Sequence, residues 1–271
     1  MARYNTIELA VDDRDVATLT FDRPEKRNAM SPELLEEVGD ALETIRGDVR
    51  ALVIEGNGPS FNAGMDFEKY FTELRKKDPL LVKEANFIHG RALNRIKDFP
   101  APTIAKVHGW ALGGGYMVMA VCDIAFAATD AKFGFSEINF GIAAGGGTMW
   151  AAAHTLSRRD AMYYTMTGEP FDGVEAERMG AVNKSVPPEE LDDEVDRFVE
   201  KLLEKNALAL EYSKDYYDHA RRMTYRESHD YELAKGEEMK YFQRQEFFTE
   251  GVGQFMEDKY KPGTGEAYEK E

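Results

Sequence analysis

Cysteine is nearly absent from this chain. Cys122 stands alone among 271 residues, which excludes an internal disulfide and any disulfide-built scaffold. Long hydrophobic runs are missing as well. The most apolar stretch, Trp110 to Ala128, is broken by three consecutive glycines and by Asp123, so no membrane span is expected. Met1-Ala2-Arg3-Tyr4-Asn5 lacks the apolar centre of a signal peptide, and these absences together predict a cytoplasmic protein. Positive charge is in deficit: 34 basic residues face 50 acidic ones, for a net charge of −16, and there is no long basic run. A nucleic-acid partner is therefore not expected. The acids are scattered, as on a strongly solvated surface. The five histidines (His89, His108, His154, His219, His229) are scattered too, with no His-Glu-x-x-His pair, so no metal site is expected. A Gly-x-Ser-x-Gly elbow, a Gly-x-Gly-x-x-Gly fingerprint and a P-loop are also absent.

What is present is a chain long enough for one large domain with a smaller appendage. Ile7–Val11 and Val16–Phe21 flank a polar turn and read as a hairpin. Ser31-Pro32 opens a helix whose Leu34, Val38, Ala41 and Ile45 share one face. Ala51–Ile54 is a short apolar strand, Asp66–Lys77 reads as helical, and Leu81–Lys97 is another helix, stopped by Phe99-Pro100-Ala101-Pro102. Thr103–Val107 and Asp123–Ala128 read as strands on either side of a Gly115–Val121 helix. This alternation predicts an α/β fold with right-handed parallel crossovers. After residue 188 the character changes to long charged helices: Pro188–Lys205, Ala207–Arg222 and Tyr225–Phe248. Their dense aromatics are expected to pack on the core or on a neighbouring subunit. The tail after Lys261-Pro262-Gly263 is expected to be flexible.

Three segments carry candidate chemistry. Phe61-Asn62-Ala63-Gly64-Met65-Asp66 sets small residues before a helix, where backbone N–H groups lack internal partners. It is either a donor turn or a plain loop-to-helix junction. Gly113-Gly114-Gly115 again precedes a helix and allows close approach of a ligand. Glu137 lies in the charge-poor stretch Phe133–Gly141. It is either a carboxyl of raised pKa suited to proton transfer, or an exposed glutamate in a short helix capped by Ser136. Cys122, inside an apolar run, reads as an inert buried thiol.

Together with Arg23-Pro24-Glu25-Lys26-Arg27-Asn28-Ala29 and Cys122-Asp123, these segments resemble the crotonase (enoyl-CoA hydratase/isomerase) superfamily, in order and over nearly the whole chain. The resemblance implies a crotonase-like ββα-superhelix core in residues 1–187 holding an acyl-CoA site. It implies a helical section in 188–271 for pocket closure and for assembly into a homo-oligomer, a trimer or hexamer. No separate cofactor is implied, since coenzyme A enters as the substrate thioester. The N–H groups of Met65 and Gly114 would form an oxyanion hole, Lys26 and Arg27 would meet the CoA phosphates, and Ala63, Asp66, Gly113, Met117 and Gly141 would line the substrate site. A closer similarity is to hydroxycinnamoyl-CoA (feruloyl-CoA) hydratase-lyases. It rests on Pro24 to Pro32, Tyr70-Phe71, Ser136-Glu137-Ile138-Asn139, Gly141-Ile142, Tyr163-Tyr164 and, near the end, Asp258-Lys259 with Lys261-Pro262-Gly263. In that subgroup the glutamate matching Glu137 is the acid/base, and the tyrosine matching Tyr70 lies toward the aromatic end of the substrate.

Two positions depart from the pattern. Met117 stands where hydratases carry a second glutamate and hydratase-lyases a serine. Leu233 stands where the hydratase-lyases place a second pocket tyrosine; Tyr231, two residues away, faces another side of a helix. The leading expectation is a lyase that hydrates a 2-enoyl-CoA and cleaves hydroxycinnamoyl-like substrates by a retro-aldol step. The alternatives are a Δ3,Δ2-enoyl-CoA isomerase and a non-catalytic CoA-binding or assembly protein.

Overall fold

A computed structural model describes residues 4–244, 246–257, 259, 265, 267 and 268. Asp258 and Lys261-Pro262-Gly263 lie outside the described residues. One compact unit ends at Arg197 and a second begins at Phe198.

The first unit is built on a six-stranded sheet. In chain order its strands are β1 (Ile7–Val11), β2 (Val16–Phe21), β3 (Ala51–Gly56), β4 (Thr103–Val107), β6 (Ile124–Ala128) and β9 (Lys184–Val186), and they lie side by side in that order. The β1–β2 hairpin is antiparallel; every later pairing is parallel. Ala51, Leu52 and Ile54 of β3 are fully buried, as a central parallel strand requires. A second sheet holds β5 (Trp110–Leu112), β7 (Lys132–Gly134) and β8 (Phe171–Asp172), in that order. These three strands and β9 are too short, at two or three residues each, for periodicity to show them.

The first crossover helix, Pro32–Thr44, starts where expected: the Ser31 hydroxyl accepts the Leu34 N–H at 3.2 Å, and Pro32 occupies the first turn. The second, Pro79–Lys97, starts two residues before the predicted Leu81, because Asp78 accepts the Leu80 N–H at 2.9 Å. Between them, Asp66–Lys77 is not one α-helix. Glu68–Leu74 forms a wider π-helical turn that passes into Arg75–Lys77.

In the second unit the Ala207–Ala220 and Tyr225–Phe242 helices pair. Asn206 caps the first, and a reciprocal Thr224–Glu227 capping box starts the second. Tyr212 donates to Glu238 at 2.9 Å and Tyr231 to Asp215 at 2.7 Å. All three predicted long helices are shorter than expected. Pro188–Glu190 is a separate 3-10 turn before Leu191–Leu203, and the last helix stops at Phe242 before a π-helical Phe247–Val252 segment. No described helix is long and apolar enough to cross a membrane.

Candidate active site

Three chain segments are drawn side by side by strand pairing. β5 and β7 run parallel with Leu112 opposite Gly134, and Gly113 N–H donates to Gly134 O at 2.9 Å. On the other side of β5, Asn62 bridges to Ala111: Asn62 N–H reaches Trp110 O at 3.0 Å, and Leu112 N–H reaches Asn62 O at 3.2 Å. The residues just after β5, the Asn62–Met65 turn and the residues just after β7 therefore meet. This register brings the triple glycine between Met65 and Glu137.

The closeness is measurable at the glycines. A β-carbon on Gly113 would lie 2.7 Å from Glu137 Oε1, and the residue's φ of +50° is left-handed. A β-carbon on Gly114 would lie 2.5 Å from Met30 Cε and 3.6 Å from Met65 N, and one on Gly64 would lie 3.4 Å from Gly114 N. On Gly115 it would run into the Asn62 carbonyl. Glycine is thus required here by space as much as by dihedral. Among the described residues, neither Met65 N–H nor Gly114 N–H donates a backbone hydrogen bond. Gly114 opens its helix, so its donor has no partner inside that helix.

Glu137 is the second residue of a 3-10 turn, Ser136–Phe140. Ser136 does not cap it; Phe135 holds the cap position, with no side-chain bond. Burial pushes the Glu137 carboxyl above its ordinary range, while its own backbone N–H and the Thr148 side chain pull the other way. Its Oε2 is buried with no hydrogen-bond partner. Around β7, just before this turn, Tyr116, Phe133, Phe135 and Phe171 form an aromatic cluster. Phe133 stacks on Phe171 at 5.6 Å, Tyr116 meets Phe135 edge-on at 4.7 Å, and the Tyr116 hydroxyl is tied to Thr155 Oγ1 at 2.6 Å. Such ring pairs contribute roughly 0.5–1.5 kcal/mol each beyond burial. They fix β7, and with it the turn that carries the acid.

The remaining candidates separate into engaged and open groups. Asp66 is 5% exposed; its Oδ2 is paired with Arg23 at 2.9 Å and its Oδ1 accepts the Lys69 N–H at 3.1 Å. Its carboxylate is thus occupied by the fold. Ala63 donates its N–H to Arg27 O at 3.0 Å. Lys26 is exposed and ion-paired with Glu68 at 2.9 Å, whereas Arg27 is exposed and caps the Pro24–Lys26 turn with a φ of +51°. Tyr70 is buried, its hydroxyl 3.5 Å from Ala85 O. Met117 turns its Cε toward Gly147, where a β-carbon would lie 2.8 Å away. Gly141 takes a left-handed φ of +75° to end the Glu137 turn, with open space around its α-carbon. In the second unit, Leu233 is exposed and Tyr231 is held by Asp215 and stacked on His219. Cys122 is half-buried rather than buried, with its thiol directed at Val118 O.

Several residues at the site escaped the sequence reading. Asn28 is fully buried. It accepts Arg23 N–H at 2.9 Å and donates to Asn57 O and Ser60 O at 2.9 and 2.7 Å, so it ties the first loop to the second. Met30 packs on Gly114, and Thr148 flanks Glu137. His89 is a further buried polar residue near the Gly145–Gly147 turn; its place among Ala85, Ala92, Leu93 and Ile96 on one helical face was a readable signal. No cluster of metal-ligating side chains occurs among the described residues.

Known proteins are similar to this chain over most of its length. Residues 12–264 match the family model for enoyl-CoA hydratase/isomerase. The chain is 38% identical over 268 residues to a hydroxycinnamoyl-CoA hydratase-lyase of Pseudomonas fluorescens, covering 96% of each chain. It is 34% identical to a probable enoyl-CoA hydratase of Bacillus subtilis over 79% of this chain and 85% of the relative. The solved enoyl-CoA hydratase of Mycobacterium smegmatis superposes with a TM-score of 0.86 at 30% identity, covering 94% of this chain and 97% of that one. The fold is the crotonase fold, and the chain belongs to the enoyl-CoA hydratase/isomerase family of enzymes.

Proposed function

We propose that this protein hydrates a 2-enoyl-CoA thioester, with Met65 N–H and Gly114 N–H as oxyanion donors and Glu137 as the proton-transfer group. The observation that carries this reading is a desolvated carboxylate lying over Gly113, beside two N–H donors that make no backbone bond. A thioester oxygen seated on the two donors gains negative charge as the α-carbon becomes enolate-like. Each well-aimed donor is worth roughly 3 kcal/mol in such a transition state. Glu137 takes a proton from water as the hydroxide adds to the β-carbon, then returns that proton to the α-carbon. A carboxyl held above its usual range suits both halves of this exchange.

Where the β-substituent can leave as an aldehyde, the same residues suffice for cleavage. Glu137 removes the β-hydroxyl proton, the Cα–Cβ bond breaks, and the enolate of acetyl-CoA takes the proton back. Similarity to the hydratase-lyase favours this extension. Lys26 and Arg27 offer their charge to the CoA phosphates, and a homo-oligomer, trimer or hexamer, is the proposed working assembly. The test supplies crotonyl-CoA and feruloyl-CoA separately and identifies products. Hydration of crotonyl-CoA and release of an aldehyde from feruloyl-CoA, both lost in Glu137→Ala, are expected. No product from either thioester, or turnover indifferent to Glu137→Ala, overturns the reading.

A second reading, Δ3,Δ2-enoyl-CoA isomerisation, is favoured by Met117, which cannot move a proton. One carboxylate is enough to carry a proton between two carbons. Formation of a conjugated product from a 3-enoyl-CoA, faster than hydration of the 2-enoyl isomer, supports it over the first.

A further inference from the structure

Asn62 is fully buried. Its N–H donates to Trp110 O at 3.0 Å, and its carbonyl accepts the Leu112 N–H at 3.2 Å. Its side-chain Oδ1 accepts the Gly64 N–H at 2.9 Å, closing a turn two residues on. Turning the amide over would set two donors face to face, so Oδ1 is the atom at Gly64. The other amide atom, Nδ2, is buried with no hydrogen-bond partner. A buried donor left unmade is costly, and packing alone gives no reason to keep an amide here.

The N–H groups of this turn can be followed one by one. Asn62 gives to Trp110 O, Ala63 to Arg27 O, Gly64 to Asn62 Oδ1, and Asp66 to Met30 O at 3.0 Å. Between the last two, Met65 N–H has no acceptor among the described residues. Without the Asn62 amide the turn would hold two adjacent open donors, Gly64 and Met65. Gly64, left-handed with a φ of +93°, would also lose the bond that fixes its peptide plane. The same residue abuts the second donor turn. A β-carbon on Gly115 would run into the Asn62 carbonyl and lie 3.1 Å from Asn62 Cβ. Asn62 thus touches the start of the Gly114 helix and, through its side chain, orders the Gly64–Met65 peptide.

We propose that Asn62 is a positioning residue for the pair of oxyanion donors. Its amide oxygen withholds the Gly64 N–H and fixes the Gly64–Met65 peptide, so that Met65 N–H and Gly114 N–H meet one thioester oxygen. This rests on the acyl-CoA reading above. The bond serves charge that develops only in the transition state, so its loss falls on kcat rather than on KM.

The test compares Asn62→Ala with Asn62→Ser, two equally truncated side chains that differ by one acceptor oxygen. A serine hydroxyl can close the same two-residue turn, more weakly than asparagine. In Asn62→Ala, kcat on crotonyl-CoA falls roughly tenfold, less than the loss of a whole donor, with KM within about twofold. Asn62→Ser recovers most of that loss. A second readout uses acetoacetyl-CoA, whose bound enolate is followed by its ultraviolet absorbance against pH. Its ionisation on the protein moves up by about one pH unit in Asn62→Ala and by less in Asn62→Ser, as a tenfold weaker hold on the enolate requires. Equal losses in the two variants, a loss confined to KM, or an unmoved enolate ionisation in Asn62→Ala overturns the role of Asn62. Should Asn62→Ala not fold, the isosteric pair Asn62→Thr and Asn62→Val decides by the same two readouts, and equality of that pair overturns the role. Absence of crotonyl-CoA turnover in the unsubstituted protein overturns hydration itself. The enolate titration then still tests Asn62, so the two failures are distinct.

Discussion

Two turns meet at the triple glycine, and they hold their carboxylates in opposite ways. In the Ala63–Asp66 turn, Asp66 is buried against Arg23 and caps the segment that follows through the Lys69 N–H. In the Phe135–Gly141 turn, Glu137 is desolvated without a cation, and one of its oxygens has no partner. Both acids are next to glycine-rich backbone and both lie in short turns. The difference is which interactions surround them. Asp66 is consumed in holding a loop, whereas Glu137 keeps an unpartnered buried oxygen, at some cost to the fold. Two acids kept apart in this way by their surroundings are a general route to assigning one to structure and the other to proton transfer.

Substitutions can break that contrast. The largest effect is expected for Glu137→Gln: kcat on crotonyl-CoA falls about 1,000-fold with the circular dichroism spectrum intact. An equal loss in Asp66→Asn with an unchanged melting curve would make the two acids alike and sink the distinction. Asp66→Ala is expected to act on stability, losing about 3 kcal/mol in urea unfolding because Arg23 is left buried and unpaired. Gly113→Ala is expected to fold but lose about 100-fold in kcat/KM, since its β-carbon would displace Glu137 Oε1 from 2.7 Å and its φ of +50° is strained. Retention of full activity there would mean that the Glu137–Gly113 contact does not define the reactive geometry.

The smallest effects are pH-dependent. On the proposed reaction Glu137 is ionised when it takes a proton from water, so the acid limb of kcat/KM should fall above the carboxyl's ordinary value of 4.5 and vanish in Glu137→Gln. The stability sign runs the other way. A carboxyl whose folded pKa is raised binds its proton more tightly in the fold than in the unfolded chain. Its contribution is therefore present at low pH and lost as pH rises through the folded value. Glu137→Gln should accordingly melt above the unsubstituted protein at neutral pH, and a lower Tm would contradict the desolvation cost assigned to this residue.

Much of the scaffold was legible in local pattern. The β1–β2 hairpin, the Ser31-capped helix and the buried β3 and β4 strands follow from alternation, caps and apolar runs. So did the three glycine- and glutamate-bearing segments. The π-helical turn at Glu68–Leu74 was not legible, because its sequence still reads as an amphipathic helix. Nor were β5, β7 and β8, whose two or three residues carry no period, although their pairing brings Gly113 to Glu137. Arg23-Pro24-Glu25-Lys26-Arg27-Asn28-Ala29 was recognisable as a motif, but its physical reason lies in distant partners. Arg23 clamps Asp66, and Asn28 holds the carbonyls of Asn57 and Ser60.

By itself the sequence determined the small residues where backbone must approach backbone, the one acid in a charge-poor segment, and the absence of an acid at Met117. These are properties of residue type and hold wherever the chain goes. Only the tertiary structure decided that Glu137 is desolvated with one oxygen left unpartnered, and that His89 faces the same turn as Met117. Desolvation and pairing are set by neighbours far apart in the chain, and a long-range register such as Leu112 against Gly134 is what chooses those neighbours.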